Sequence, residues 1–522
     1  MLFNSYEFCL LFLPLALIVY SATGRYAGRA FALGWLLLAS IVFYAWSSPS
    51  ALAILGGSIL LNYGAARLLT RARSARDTRG GLVMGLAVAA NIAILAQFKY
   101  LEFLVEAAAA LVGIEMPLVR AIPPLAISFF TFQQIAYVVD VHRGQPAERN
   151  LLRYGLFVCF FPQLIAGPIV HHKEMLPQFN RASSALSPQD LATGVTLFAI
   201  GLFKKVVVAD GIVVWVTPVF EAAKFGGLAM LDAWAGTLAY TLQLYFDFSG
   251  YCDMAIGLGL MFGFRLPLNF DSPYRASSII DFWRRWHQTL SRFLRDYLYF
   301  GLGGNRLGPT RRQINLMLTM LLGGLWHGAN WTFLIWGGLH GCYLMLNHAW
   351  RGFFARTGRQ APEGWPWQIA SRVLTLLAVM LAWVFFRADS LTSALHMIGV
   401  MAGAVSPSIA DPANGGAVAL ALPLFELSQI SILLGLLGVV SFAPNSQQIV
   451  GYNASNDSTQ TNHDVKLEKD LGKQSAGNSW TWARGYALRW SPTAAWAALM
   501  ALLCLLSLAG MSETREFVYF RF

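Results

Sequence analysis

Ile314–Leu339 reads INLMLTMLLGGLWHGANWTFLIWGGL, an apolar run interrupted near its middle by His327. A helix needs roughly 20 apolar residues to cross a bilayer, and the flanks of His327, Ile314–Leu325 and Trp331–Leu339, place the imidazole inside the hydrocarbon. An ionisable group at that depth is costly and marks a functional site. Imidazole also titrates near neutral pH, so it suits proton transfer. A second histidine, His287, stands forty residues earlier in FWRRWH (Phe282–His287). The pair points to chemistry inside a membrane.

The rest of the chain agrees. Of its 522 residues 56% are hydrophobic and 12% charged, against about 25% charged in soluble proteins. Apolar runs near Glu7–Tyr20, Ala30–Trp46, Ala51–Leu69, Gly81–Phe98, Ile122–Val139 and Leu151–Val170 read as spans. So do Leu191–Val219, Trp234–Phe248, Cys252–Leu266, Ile314–Trp331, Thr332–Trp350, Val373–Phe386, Val418–Val440 and Pro492–Leu508. The expected fold is all-α: a single integral-membrane domain over residues 1–522, with about 11–14 membrane helices. Gly and Pro within several runs predict half-helices, which tolerate membrane depth where protein buries them.

Arg25 and Arg29 follow the first apolar run rather than precede it, so that run reads as a retained span, not a cleaved signal. Positive residues stay inside. This puts the N-terminus outside, and Arg67–Arg79, His142–Arg153 and Arg284–Arg312 on the cytoplasmic side, with the tail Ser512–Phe522 outside. Topology and anionic lipid account for the net charge of +11 without nucleic acid. The five cysteines are scattered singly through apolar runs and read as small buried hydrophobes, with no metal or disulfide implied. Asn445–Asn478 is polar enough to read as a disordered cytoplasmic loop.

Between Asp281 and Tyr299 apolar residues recur every three or four positions, with Arg284, Arg285, Arg292 and Arg295 on the other side. The spacing predicts one interfacial amphipathic helix braced by Asp281–Arg285 and Arg292–Asp296. Its arginines either anchor that helix or meet an anionic donor. The glycine-rich turn that follows carries Asn305 and Arg306. Upstream, Asp247, Ser249 and Asp253 lie between two apolar runs, where they hold the histidines or arginines, cap the helix after Ser249 or mark a membrane-surface turn, with structural bracing favoured over direct catalysis. Gly257–Gly263 reads as helix packing through small residues. Trp326 helps to form a dry pocket for His327, whereas His340 reads as structural. The adjacent His171 and His172 cannot share a helix face, and no HExxH or GxSxG motif is present, so neither a metal site nor a serine hydrolase is indicated.

YFDFSGYCDMAIGLGLMFGF (Tyr245–Phe264), NFDSPYRASSIIDFWRRWHQTLSRFLRDYLYFGLGGNR (Asn269–Arg306) and TMLLGGLWHGANWTFLIWGGLHG (Thr319–Gly341) together resemble the membrane-bound O-acyltransferase superfamily, in its bacterial alginate O-acetylation branch. Phe3–Leu15, Pro123–Gly144 and Phe161–Ile169 extend the resemblance, which covers most of the chain to about Phe386. It implies that His327 is the residue required for acyl transfer and that His287 occupies the family's second polar position. It also implies a bundle with a tunnel through the membrane and periplasmic or anchored partners of SGNH-esterase type, which complete transfer to polysaccharide.

The chemistry expected from these residues is acetyl transfer from a cytosolic thioester, acetyl-CoA, with no bound cofactor. Arg284, Arg285 and Arg306 would meet the donor's phosphates. His327 would act as base or carry the acetyl group, while His287, Asn305 or a nearby N–H stabilises the oxyanion. The expected acceptor is an exopolysaccharide, alginate before cellulose, peptidoglycan or a teichoic-acid polymer, and the expected location is the bacterial inner membrane. The rival class is a polysaccharide or lipid transporter.

Overall fold

A computed structural model describes residues 1–75, 79–113, 123–181, 187–225, 227–360, 362–404, 408–410, 418–420, 424–452 and 490–511. The protein is an all-α polytopic membrane protein. Among the described residues, a short antiparallel pair, β1 (Ser408–Ala410) with β2 (Val418–Leu420), is the exception.

Among the described residues, five stretches are long and apolar enough to cross a membrane: Glu7–Tyr26, Arg29–Ser47, Pro49–Ser74, Gly80–Val112 and Trp365–Arg387. The first contains α1 (Leu13–Tyr26), the second is α2 (Arg29–Ser47) and the third contains α3 (Leu52–Ser74). The fourth joins α4 (Gly80–Leu95) to α5 (Leu101–Val112) through a π-helical turn, Ala96–Tyr100. After α6 (Ile127–His142), the run read as a single span from Leu151 breaks up. There α7 (Leu151–Cys159) stops at Phe160, α8 (Phe161–Leu164) makes one turn, and an irregular stretch leads to α9 (His172–Arg181).

The centre is occupied by α10 (Pro188–Phe203), α11 (Asp210–Phe225) and α12 (Met230–Met261). Here the structure corrects the sequence reading, which ended one span at Phe248 and began another at Cys252. The helix runs straight through, and residues 239–261 are all buried. Asp247 and Asp253 need no surface turn because each meets a lysine from the π turn Lys204–Ala209 between α10 and α11. Lys204 Nζ lies 2.8 Å from Asp253, and Lys205 Nζ 2.8 Å from Asp247 and 2.7 Å from Asp210. The helices approach closely because glycines face glycines. A Cβ on Gly194 would come within 2.6 Å of the Gly257 carbonyl, and one on Gly257 within 2.5 Å of the Gly194 carbonyl. The small-residue packing read from Gly257–Gly263 is therefore present at Gly257.

The predicted continuous helix over Asp281–Tyr299 is also corrected. It is α13 (Ile279–Arg285), a break at Trp286–His287, α14 (Gln288–Phe293) and a π turn, Leu294–Tyr299. His287 itself adopts φ +44°, a left-handed conformation unusual for a residue with a side chain. Beyond it lie α15 (Gly308–His327), α16 (Trp331–Thr357), α17 (Trp365–Arg387), α18 (Leu391–Met401) and α19 (Leu427–Phe442). Last come α20 (Ser446–Val450) and α21 (Ala494–Gly510). The stretch read as a disordered loop from Asn445 thus begins with an ordered helix. Ser446 and Gln447 both hydrogen-bond Asp253, and residues 453–478 of that stretch lie outside the described residues.

Hydrogen bonds between loops sort the ends of the helices into two sides. Arg73 donates to the Gly144 carbonyl (2.5 Å) and Arg143 to the Asp296 carbonyl (3.5 Å), which groups three basic stretches. Tyr6 O–H donates to the Leu508 carbonyl (2.7 Å), so the end of α21 lies beside the start of the chain. Asp389, whose carbonyl accepts from Asn330, stands at the His327 end of α15, opposite its Gly308 end. If the basic side is cytoplasmic, Ser74→Cys in an otherwise cysteine-free chain will resist an impermeant thiol reagent added outside cells, and Asp389→Cys will react. The reverse labelling pattern would invert this orientation.

Candidate functional site

His327 is the last residue of α15, 3% exposed, and the chain turns at Gly328 before α16. The close crossing of these helices sets its position: Gly324 faces the Phe333 carbonyl and Gly337 the Met320 carbonyl, with no room for a Cβ on either glycine. Aromatic rings enclose the imidazole. Trp326 lies 4.8 Å away, Trp336 5.0 Å and Phe386 of α17 5.1 Å, ring centre to ring centre. Trp326 and Trp336 are buried, and their indole N–H groups donate to no described residue.

His287 reaches the same indole. Its ring lies 6.0 Å from Trp326, so both histidines pack on that side chain. The left-handed turn at His287 is held by Asn269, a residue to which sequence reading assigned no role. Asn269 Oδ1 accepts from Thr289 N (3.3 Å), Thr289 Oγ1 (2.9 Å) and His287 Nδ1 (3.0 Å). Its amide in turn donates to Cys252 Sγ (3.3 Å). With two Thr289 donors already on that oxygen, the histidine proton belongs on Nδ1, which leaves Nε2 the acceptor nitrogen. The two histidines singled out in the sequence therefore converge on one buried aromatic chamber. His340 belongs to its wall: it accepts from Trp283 Nε1 (3.2 Å) and packs on Trp336 at 4.9 Å.

Other candidates are not brought to this chamber. Asn305 and Arg306 lie exposed on the turn before α15, while His327 ends it. Twenty residues of helix put them roughly 30 Å apart, so Asn305 cannot stabilise charge at His327. Asp253 holds Lys204, Ser446 and Gln447 rather than a histidine. Arg285 is occupied by Asp281 (2.9 Å) and Asp271 (3.6 Å), so the predicted Asp281–Arg285 brace forms. Arg284 is exposed. The predicted Arg292–Asp296 pair does not form, because Arg292 grips Glu174 at 2.6 Å and 3.0 Å while Asp296 takes Arg295 at 2.7 Å.

That exchange reveals a polar cluster absent from the sequence reading, where α6, α9 and the Leu294–Tyr299 turn meet. Tyr297 hydrogen-bonds His171 Nδ1 (3.2 Å), and Lys173 lies 3.5 Å from Asp140. Burial pushes the His172 imidazole down to about 4 against the opposing pull of Asp140. His172 Nδ1 lies 3.7 Å from that carboxylate. From this cluster a packed aromatic path leads inward, with Phe132 stacked on Phe293 at 4.3 Å and on Trp326 at 5.5 Å.

Lys99 was missed for a simpler reason. The sequence reading closed its span at Phe98, one residue before the lysine, although apolar sequence resumes at Leu101. The lysine lies within a continuous helical stretch, and its Nζ contacts the carbonyls of Trp326 (2.6 Å) and His327 (3.1 Å).

Comparison with known proteins fits this arrangement. Residues 145–386, which include both chamber histidines, match the MBOAT, membrane-bound O-acyltransferase family model. The chain is 43% identical to a peptidoglycan O-acetyltransferase of Helicobacter pylori, over 77% of this chain and 80% of that protein. It is 44% identical to a probable alginate O-acetylase of Pseudomonas putida, again over 77% and 80%. A more distant relative, a teichoic acid D-alanyltransferase of Streptococcus thermophilus, is 28% identical over 43% of this chain and 57% of its own. A buried histidine chamber between membrane helices, in a chain this similar to O-acetyltransferases, identifies the protein as an O-acyltransferase that belongs to the membrane-bound O-acyltransferase (MBOAT) family.

Proposed function

We propose that the protein works in the bacterial inner membrane, takes an acetyl group from cytosolic acetyl-CoA and passes it across the membrane for O-acetylation of an exopolysaccharide, alginate in the first instance. The observation that carries this reading is the convergence of His287 and His327 on Trp326 in one buried aromatic chamber. His327 Nε2 or Nδ1 takes the proton of an acceptor hydroxyl as its oxygen attacks the thioester carbonyl. The new C–O ester bond forms, the C–S bond breaks, and the imidazolium returns its proton to the departing CoA thiolate. In the variant with a covalent intermediate, a His327 ring nitrogen attacks the carbonyl, the C–N bond forms as the C–S bond breaks and CoA thiolate leaves, and the acceptor hydroxyl then forms the C–O ester bond as the C–N bond breaks and its proton passes to the released thiolate. Because Asn305 is out of reach, the buried indole N–H groups of Trp326 and Trp336 are the better donors to the developing oxyanion.

A periplasmic or membrane-anchored partner of SGNH type would then carry the acetyl group to the polymer. The similarity to a peptidoglycan O-acetyltransferase supports a second reading, the same chemistry serving peptidoglycan. Membrane vesicles with the cytoplasmic face outward test the donor. They should release CoA from acetyl-CoA in a manner that depends on this protein, and failure to do so would overturn acetyl-CoA as donor. Ester content of alginate and of peptidoglycan, compared between the wild-type and deletion strains, decides the acceptor.

The arginines are tested in the same vesicles. Arg284→Gln or Arg306→Gln should raise the acetyl-CoA concentration needed for half-maximal rate about tenfold while preserving the maximal rate, since loss of one charge-assisted phosphate contact is worth about 1.5 kcal/mol. A donor titration unchanged in both variants would leave these residues as membrane anchors.

A further inference from the structure

We propose that Lys99 is a positioning residue for His327, acting through the backbone of α15 with Tyr100 as its companion. The inference rests on the reading of His327 as the acyl-transfer residue. A helix leaves its last four carbonyls without partners inside the helix, and at membrane depth an unsatisfied carbonyl costs several kcal/mol. At the end of α15 those carbonyls belong to Gly324, Leu325, Trp326 and His327, and every one is accounted for. Gly324 O accepts from Gly328 N (3.4 Å), and Leu325 O from Tyr100 O–H (3.0 Å). Trp326 O and His327 O both accept from Lys99 Nζ, at 2.6 Å and 3.1 Å. Three of the four are thus satisfied from one π turn, Ala96–Tyr100, on a different membrane helix.

The wide turn explains how adjacent side chains can both reach the end of α15. Such turns carry an extra residue that alters the direction of side chains, and they recur at functional sites. The nature of Lys99's partners matters as well. Two other enclosed lysines of the bundle, half-buried Lys204 and buried Lys205, lie against carboxylates. Among the described residues Lys99 makes no carboxylate pair, and its third partner is the hydroxyl of Ser128 at 3.3 Å. An ammonium bound only to neutral oxygens inside an apolar span is a poor device for stability. It is well suited to the negative end of a helix dipole, and its charge-assisted hydrogen bonds fix the two peptide groups that flank the His327 Cα. Lys99 Nζ also lies 6.0 Å from the centre of the Trp326 ring, against which both histidines pack. Releasing it would free the helix end and let the imidazole drift from its place against Trp326.

The test compares Lys99→Met, Lys99→Arg and Tyr100→Phe, with His327→Ala as reference. Ester appearing on the polymer in cells is divided by enzyme in the membrane, and the apparent KM for acetyl-CoA is read in vesicles. A misplacement of about 1 Å costs about 100-fold, so Lys99→Met should lower the rate per enzyme by that order at unchanged KM. Lys99→Arg, which keeps a donor cation at the same place, should recover at least half of that loss on a logarithmic scale. Tyr100→Phe, which loses one neutral hydrogen bond, should lower the rate roughly threefold to tenfold. A wild-type rate per enzyme in Lys99→Met overturns the inference. If Lys99→Met does not accumulate, wild-type rates per enzyme in both Lys99→Arg and Tyr100→Phe overturn it instead. If His327→Ala is inactive while the Lys99 and Tyr100 variants are normal, only this inference fails; an active His327→Ala removes the functional reading beneath it.

Discussion

His327→Ala is expected to lower polymer acetylation by about 10²–10⁴-fold, the range typical for loss of a catalytic acid or base, with the protein still present in the membrane. The separation of activity from folding follows from the surroundings. The imidazole ends a helix rather than lying in its middle, and the glycine contacts that fix the α15–α16 crossing are made by backbone. Removing the ring leaves a cavity lined by Trp326, Trp336 and Phe386. That cavity weakens the local packing without uncovering a charge. His327→Gln, which keeps volume and polarity but cannot cycle a proton, should be as inactive as the alanine variant. Ester content measured against membrane level decides the matter, and wild-type ester in a well-expressed variant would sink the assignment. His287→Ala should be less severe if its role is orientation. It should also release Asn269, which holds the left-handed turn through His287 and Thr289.

What could be read from the sequence divides along a physical line. Hydrophobic periodicity and the cost of charge in lipid are local properties, so the all-α membrane fold and the burial of His287 and His327 were legible. Partnership between distant residues is not local. Bracing was legible for Asp247 and Asp253, but its partners were sought among histidines and arginines, because the lysines they meet lie more than forty residues earlier, in a run that itself read as one span. The break at Trp286–His287 was invisible because the amphipathic spacing continues through it. Only Asn269 and the packing of Trp286 against Phe270, at 5.0 Å, reveal why the helix gives way. Lys99 fell at the boundary of an apolar run, where a lysine ordinarily marks the membrane surface. Its true role depends on the end of α15, more than two hundred residues later in the chain.

Asp253 separates bracing from chemistry, and the structure favours bracing. Its carboxylate is fully buried and collects three donors, Lys204 at 2.8 Å, Ser446 at 2.5 Å and Gln447. Through them it ties α12 to the α10–α11 junction and to α20. Breaking a buried pair by removing one partner leaves the other charge uncompensated, at a cost of about 3–5 kcal/mol. That is a large part of the stability of a typical domain. Asp253→Ala should therefore reduce the amount of protein in the membrane and its unfolding temperature in detergent, and activity should fall in proportion to the protein lost. The double variant Lys204→Met/Asp253→Leu removes both charges and should regain much of the level, because replacing a buried ion pair by apolar groups of similar volume is often close to neutral. A catalytic Asp253 predicts the opposite pattern: normal accumulation and melting of the single variant, no acetylation, and no recovery in the double variant. Lys204→Met alone supplies the converse test. It leaves Asp253 with two neutral donors and should still destabilise the protein, since the negative charge remains buried at the centre of the bundle without its cation.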